Sequence, residues 1–170
     1  MDNFARCFAF TLGAEGGYSN NPSDPGNWTG GGVGRGVLRG TKFGISAAAY
    51  PQVDIAGLTE TDAGQIYRRD YFDPLHGHDL KLPVALVAFD AAVNAGLRRS
   101  IIWLQQAANK NEDGMLGPET LVALNAADGA VLAQEALARR MDFYARSPGW
   151  TNFGLGWARR MIALAAEILT

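Results

Sequence analysis

The most constraining feature of the sequence is an apolar run in the middle of the chain, Leu82–Ala95. A helix that is hydrophobic on nearly every side lies in the centre of a domain. Pro83 suits its first turn, and Gly96 ends the run. Asp90 and Asn94 interrupt it one turn apart on the same side. Buried polar groups are normally hydrogen-bonded, so we expect Asp90 to satisfy neighbouring groups, whereas Asn94 could do the same or line a cleft.

Amphipathic patterns on both sides of this run predict further helices. Phe4, Phe8 and Leu12 recur at helical spacing within residues 2–15. Thr59 and Asp62 form a capping box that predicts a helix start. We also expect helices near 47–50, over 100–108, from 117, over 128–145 and after 149. The chain is therefore predicted to be mainly α-helical, with a shared core and a division near residue 97.

Residues 30–40 are rich in glycine and break the helical pattern. A phosphate-binding loop would need a preceding apolar strand and a Lys-Ser/Thr ending, and both are missing. The segment instead predicts a small Gly-rich β-hairpin at the rim of a cleft, where Arg35, Arg39 and Lys42 would supply positive charge.

Composition excludes several classes of function. The net charge is −2 over 170 residues, which gives no support for nucleic-acid binding. No apolar run reaches membrane-spanning length, and the N-terminus is a poor signal peptide. Cys7 is the single cysteine, so no intramolecular disulfide forms, and we expect it in the core rather than as a nucleophile. His76 and His78 are predicted to be loop residues and not metal ligands; we expect no metal and no cofactor.

Two carboxyl groups near the N-terminus have opposed predicted environments. Glu15 falls on the apolar stripe of the first helix and just before Gly16 and Gly17, so we expect it in the last turn. Partial burial and the negative end of the helix would both favour its protonated form, which a general acid requires. Asp24 lies in a Pro- and Gly-rich loop and should stay ionised. Such a pair is used to cleave glycosidic bonds. Alternatively, Glu15 simply faces solvent or caps a loop.

Several motifs, taken together, resemble glycoside hydrolase family 108, the N-acetylmuramidase-like lysozymes of phages and bacteria. The matching segments are residues 15–18, 21–26, 41–46 and 89–96. Residues 104–120 and 153–160 are similar to the family's C-terminal predicted peptidoglycan-binding segment. The resemblance implies an α+β lysozyme-like fold, with a muramidase catalytic region at 1–96 and a helical peptidoglycan-binding region at 97–170.

The resemblance also implies an activity and a set of site residues. The substrate would be the peptidoglycan glycan strand, cut between N-acetylmuramic acid and N-acetylglucosamine. Glu15 would be the general acid, Asp24 would stabilise positive charge or activate water, and Thr41 would hold the water. Tyr18 and Asn94 are the candidates for binding substrate, and Tyr18 could equally be a core aromatic residue that anchors the loop. The Gly-rich segment looks like an insertion between Asp24 and Thr41, which makes Thr29 a competing candidate by spacing. Thr41 is preferred because residues 43–46 follow it as they do in the family. Direct attack by water requires carboxyl groups about 6.5–9.5 Å apart, and a nucleophilic carboxylate about 5 Å; by analogy with phage-type lysozymes we expect inversion.

Three other activities remain open from the sequence alone: a non-catalytic peptidoglycan-binding or scaffold module, a lytic transglycosylase, and a chitinase-like enzyme. A fold by itself does not decide among them. We expect a monomer, made in a bacterial cytoplasm without stable membrane insertion. It would reach the cell wall as a phage endolysin after holin-type release, although a prophage remnant or a secretion-system accessory enzyme would look the same.

Overall fold

The structure is a computed structural model that describes residues 2–13 and 17–169. It divides into two compact units, Phe8–Arg68 and a larger one formed by Met1–Cys7 with Arg69–Thr170. The described helices are α1 (Asn3–Leu12), α2 (Glu60–Tyr67), α3 (Leu82–Ala95), α4 (Leu97–Ala107), α5 (Pro118–Ala126), α6 (Gly129–Ala145) and α7 (Trp150–Glu167), and the strands are β1 (Thr41–Lys42) and β2 (Ile45–Ser46). The mainly helical α+β fold with one small antiparallel sheet confirms the predicted fold class.

The larger unit is built around α3, whose bounds are those predicted from the apolar run. Helices α4 and α6 pack against α3, and α7 packs against α6. Every residue from Val84 to Ala92 is buried. Asp128 caps α6 by accepting hydrogen bonds from the backbone N–H groups of Ala130 and Val131, which fixes where that helix begins. The apolar helix therefore lies in the core, as its composition requires.

Asp90 is buried at the centre of the larger unit and is bonded to two arginines. Arg140 Nη1 on α6 donates to Asp90 Oδ2 at 2.7 Å, and Arg160 Nε on α7 donates to Oδ1 at 2.9 Å. Arg140 Nε also donates to the Tyr144 hydroxyl at 3.0 Å. Asp90 thus has the structural role predicted for it, and its carboxylate joins α3, α6 and α7.

The smaller unit consists largely of loops held by short stretches of pairing. Helix α2 begins with the predicted capping box, in which Thr59 and Asp62 bond each other's backbone. The regular strand pairing is β1 with β2, Thr41 opposite Ser46. Residues 30–40 form an irregular loop, closed by an isolated bridge between Trp28 and Leu38 and by backbone hydrogen bonds from Thr29 N to Val37 O and from Gly30 N to Arg35 O. The predicted Gly-rich hairpin is therefore a bridged loop, and the regular ladder follows it.

Two predicted helix bounds and one predicted helix were wrong. Helix α1 ends at Leu12 rather than at 15, and Gly13 follows with φ +56°, the left-handed conformation that terminates helices. Residues 47–50 form a turn rather than a helix, in which the Ser46 hydroxyl accepts from Ala49 N at 3.3 Å. Helix α4 starts at Leu97, three residues before the predicted start.

Cys7 is fully buried on α1, as expected for a core residue. Burial and, to a smaller extent, the charge of Asp2 together raise the pKa of its thiol to about 12. A thiol with this pKa stays protonated at neutral pH and is a poor nucleophile.

Within the described residues, no individual helix combines the length and apolarity needed to cross a membrane; α5 and α6 meet that test only as a pair, bent by 116° at their break.

Candidate active site

Asp24 lies at the start of a single 3₁₀ turn, Pro25–Asn27, in the smaller unit. Its side chain is exposed, and Oδ1 accepts a hydrogen bond from Gly26 N at 2.8 Å. The Pro-Gly sequence that follows favours this tight turn. Asp24 therefore has a fixed position in an exposed loop, which agrees with the wetter environment predicted for it.

Asn27 is the buried residue that links this turn to β1, and sequence reasoning did not single it out. It is 0% exposed. Its Nδ2 donates to Asn21 O at 3.0 Å, and its Oδ1 accepts from the Thr41 hydroxyl at 2.7 Å. Its backbone N–H donates to Asp24 O at 3.2 Å. Both the Asp24 turn and the Thr41 side chain are therefore fixed by one asparagine.

Thr41 is half-buried in β1, and its backbone is fixed on both sides. It exchanges two hydrogen bonds with Ser19, at 2.9 and 2.7 Å, and it pairs with Ser46 across the sheet. Since the hydroxyl hydrogen is donated to Asn27, the oxygen can interact with a further group only as an acceptor.

Tyr18 is 44% exposed and lies beside a groove of about 440 Å³. Its hydroxyl donates to Arg39 O at 3.2 Å. The ring packs on Gly40, where a Cβ would come within 2.6 Å of Tyr18 Cε2. Gln52 and Asp54 also line the groove, which therefore combines an aromatic ring with polar side chains.

The predicted basic rim is partly committed to holding the loops. Arg39 Nη1 donates to Pro51 O at 3.1 Å, and Lys42 Nζ donates to Ala56 O at 3.0 Å. The loop carrying Arg35 is closed by Gly30 N, which donates to Arg35 O at 3.1 Å. Two of the three cations thus stabilise the walls of this unit through backbone carbonyl groups.

The structure brings some of the predicted site residues together. Tyr18, Asp24 and Thr41 lie in the smaller unit, in loops connected through Asn27. Glu15, the predicted acid, lies outside the described residues. Asn94 belongs to the larger unit, is exposed, and donates from Nδ2 to Asp90 O at 2.8 Å. The functional roles of all five residues stay predictions.

The two histidines lie in the loop before α3 and are exposed, as predicted. His76 Nδ1 is 3.6 Å from Asp79 Oδ2, and His78 Nδ1 is 3.4 Å from Asp2 Oδ1. In the part of the chain that the structure describes, no group of three or more His, Cys, Asp or Glu side chains could hold a metal ion.

Comparison with known proteins identifies the family. Residues 8–96 match the profile of glycosyl hydrolase 108. The chain belongs to this family. Solved structures that match include SagA from Brucella abortus, with a TM-score of 0.80 and 28% sequence identity, covering 98% of this chain and 93% of SagA. No curated protein matches the sequence at a significant level.

Family membership supports a glycoside hydrolase and a peptidoglycan-hydrolase type of function. The matched span contains Glu15, Tyr18, Asp24, Thr41 and Asn94. The match ends at residue 96, so the likeness of residues 97–170 to a peptidoglycan-binding segment stays a prediction, as does the domain boundary near 97.

Proposed function

We propose that the protein hydrolyses the β-1,4 bond between N-acetylmuramic acid and N-acetylglucosamine in peptidoglycan, with Glu15 as general acid. The observation that carries this proposal is the family match over residues 8–96, because that span contains Glu15, Asp24 and Thr41. Glu15 would protonate the leaving oxygen as the glycosidic bond breaks.

Asp24 and Thr41 would act on the face of the sugar ring opposite to Glu15. In the described residues, the Asp24 carboxylate accepts one backbone N–H and lies in an exposed turn. It would stabilise the positive charge that develops on the sugar ring or activate a water. Thr41 would accept a hydrogen bond from that water, since its own hydrogen is donated to Asn27.

The groove beside Tyr18 supports a carbohydrate substrate. Aromatic rings with nearby polar side chains suit sugars, which have apolar C–H faces and hydroxyl edges. Tyr18 is held by its contacts with Arg39 and Gly40, so the exposed part of its ring offers a fixed surface. We propose that this ring binds a sugar and that Gln52 and Asp54 bond its polar groups.

The deciding experiment identifies the product. Purified peptidoglycan is incubated with the protein, new reducing ends are measured, and the released muropeptides are analysed by mass spectrometry. Hydrolysis gives muropeptides with a free reducing end at N-acetylmuramic acid. A 1,6-anhydro product would instead indicate a lytic transglycosylase. Binding without release would indicate a non-catalytic module, and faster cleavage of chitin oligomers would indicate a chitinase.

Asp24→Asn tests the second carboxylate without disturbing its turn. Asparagine caps helical turns as well as aspartate does, so the bond from Gly26 N should persist while the charge is lost. We expect a reduction in kcat of tenfold or more. Asp128→Asn is the matched control, because Asp128 is also an exposed capping residue but lies at the start of α6. Equal activity of the two variants would argue against a catalytic Asp24.

We further propose that the protein acts at the cell wall as a monomeric endolysin and that residues 97–170 help to hold it there. Expression in a bacterial cytoplasm with and without a holin tests the release step. Lysis that does not depend on the holin would contradict it, and sedimentation of a dimer would contradict the monomer.

A further inference from the structure

A second cavity, distinct from the groove at Tyr18, lies in the larger unit where α4 begins. Its volume is about 380 Å³. The side chains that line it include two arginines, Arg98 and Arg99, and the apolar side chains of Ile102, Trp103 and Phe143. No acidic side chain lines it among the described residues. The cavity is therefore cationic, with apolar walls.

Arg99 provides the clearest unused charge in this cavity. Its guanidinium carbon lies 4.0 Å from the centroid of the Phe143 ring, so the ring supports one face of the cation. Within residues 2–13 and 17–169, the Arg99 side chain forms no hydrogen bond or salt bridge. The stacked guanidinium therefore keeps its N–H donors available while losing part of its rotational freedom.

Two neighbouring arginines differ from Arg99 in this respect. They line an adjacent depression that shares Trp103 and Phe143 with the cavity. Arg139 is bonded to Glu135 at 2.7 Å, and Arg146 to Asp142 at 2.9 Å. Carboxylates of the chain thus neutralise Arg139 and Arg146, whereas Arg99 remains available to bind an external anion.

Arg98 adds a second positive charge. Its Nη2 donates to the backbone carbonyl of Asp113 at 3.4 Å. The Asp113 carboxylate is already held by Gln105 Nε2 at 2.7 Å and by Met115 N at 2.8 Å. These bonds, and to a smaller extent the charge of Arg98, lower the pKa of Asp113. The Asp113 carboxylate is therefore fixed in its own loop by other donors.

We propose that this cavity binds a carboxylate of the peptidoglycan stem peptide, with Arg99 as the main anchor and Arg98 as its support. A guanidinium presents paired N–H donors that match a carboxylate, and the apolar walls suit small alkyl side chains. The glycan of peptidoglycan is uncharged where its muramic acid carries peptide, so carboxylates come from the peptide. The choice of a peptidoglycan carboxylate as the ligand rests on the proposed function, whereas the positive charge of the cavity is observed independently of it.

The test measures binding of two soluble probes that differ only in the peptide. The first is the disaccharide tetrapeptide of peptidoglycan, and the second is the same disaccharide with its lactyl carboxyl group capped as the methylamide, so that it carries no carboxylate. Isothermal titration calorimetry is performed with wild type, Arg99→Gln and Arg159→Gln. Arg159 is the matched control because it is exposed on α7 and does not line the cavity.

We expect Arg99→Gln to weaken binding of the peptide-bearing probe at least tenfold, whereas Arg159→Gln binds it like wild type. Arg99→Lys should restore part of the affinity, because it keeps the charge but loses the paired donors. Circular dichroism on each variant confirms that the fold is retained. Unchanged affinity in Arg99→Gln, or equal losses for both probes, would overturn the proposal.

Two further measurements distinguish a peptide ligand from a lipid ligand, and the cavity assignment from the proposed hydrolase. Vesicles of anionic phospholipid are tested in parallel, and loss of vesicle binding in Arg99→Gln without loss of peptide binding would assign the cavity to a lipid phosphate and overturn the proposal. Reducing-end release by the wild-type protein is measured separately. Peptide binding without release of reducing ends would contradict the proposed hydrolase and support the cavity assignment. Release of reducing ends without peptide binding would contradict the cavity assignment and support the hydrolase.

Discussion

Replacing Asp90 with asparagine should destabilise the protein far more than the loss of a carboxylate from a surface ion pair. The Asp90 carboxyl group is fully buried, and the Arg140 side chain that it neutralises is 1% exposed. In Asp90→Asn the guanidinium of Arg140 remains in the core opposite an amide, which can supply an N–H where an oxygen is needed. Removing one partner of a buried ion pair costs about 3–5 kcal/mol.

The second arginine limits the size of the effect. The Arg160 side chain is 33% exposed and can turn toward water when its partner is lost, so most of the cost comes from Arg140. For a chain of this size, each kcal/mol of lost stability lowers the midpoint of thermal unfolding by about 2–4 °C, so the midpoint should fall by roughly 6–20 °C. That loss is a substantial part of the roughly 5–15 kcal/mol that stabilises a typical domain.

Urea unfolding followed by circular dichroism measures this cost, with Asp142→Asn as the control. Asp142 pairs with Arg146 on the surface, and such pairs contribute about 0–1 kcal/mol. The double replacement Asp90→Leu with Arg140→Met removes both buried charges and should recover most of the loss. A loss below about 1 kcal/mol in Asp90→Asn, or a double variant less stable than the single one, would refute the reasoning.

Three further predictions concern the smaller unit and the thiol. Thr41→Val leaves the buried Asn27 Oδ1 without its donor and should cost about 1–3 kcal/mol in urea unfolding, more than Thr41→Ser; equal stability would contradict the bond's importance. Gly40→Ala should cost about 1–3 kcal/mol, because φ is +85° and the ring of Tyr18 occupies the space; a neutral effect in thermal unfolding would contradict this packing. Cys7 should not react with a thiol reagent at pH 8 until the protein unfolds. The pKa of the Cys7 thiol is about 12 in the folded protein and 9.0 ordinarily. The protonated thiol therefore favours the folded state fully below pH 9, and this contribution to stability is lost as the pH rises from 9 to 12. Wild type should therefore lose more stability than Cys7→Ala over that range, and parallel pH curves would argue against the raised pKa.

Local signals in the sequence predicted much of the helical framework. The apolar run from Leu82 to Ala95 predicted both ends of α3, and Thr59 with Asp62 predicted the start of α2. The helix predicted over 128–145 likewise agrees with α6, for which Asp128 is the N-cap. Each of these signals depends on residues within one or two turns of one another, so it can be seen without the tertiary structure.

The wrong bounds have local causes of a different kind. Gly13 ends α1 before the pair of glycines that gave the stronger sequence signal, because a single residue in the left-handed conformation is enough to stop a helix. Residues 47–50 have a capping serine but only one turn of chain before Pro51. One turn is too short to form a stable helix.

Parts of the candidate site could not be predicted because their partners are distant in the sequence. Asp90 was expected to satisfy a buried group, but Arg140 and Arg160 lie 50 and 70 residues away. Asn27 resembles any other turn residue until the fold buries it against Thr41, 14 positions later. Residues such as Asp24 were instead predicted from their chemical type and from family motifs, and neither requires knowledge of the tertiary contacts.

The most direct test of the central claim compares peptidoglycan digestion by wild type, Glu15→Gln and Glu119→Gln. Glutamine keeps the size of the side chain and removes its acidic proton, and Glu119 is an exposed glutamate in the first turn of α5 that serves as control. We predict that Glu15→Gln releases at least a hundredfold fewer reducing ends per second, with an unchanged circular dichroism spectrum, while Glu119→Gln matches wild type. Release by Glu15→Gln at the wild-type rate would contradict the assignment of the general acid.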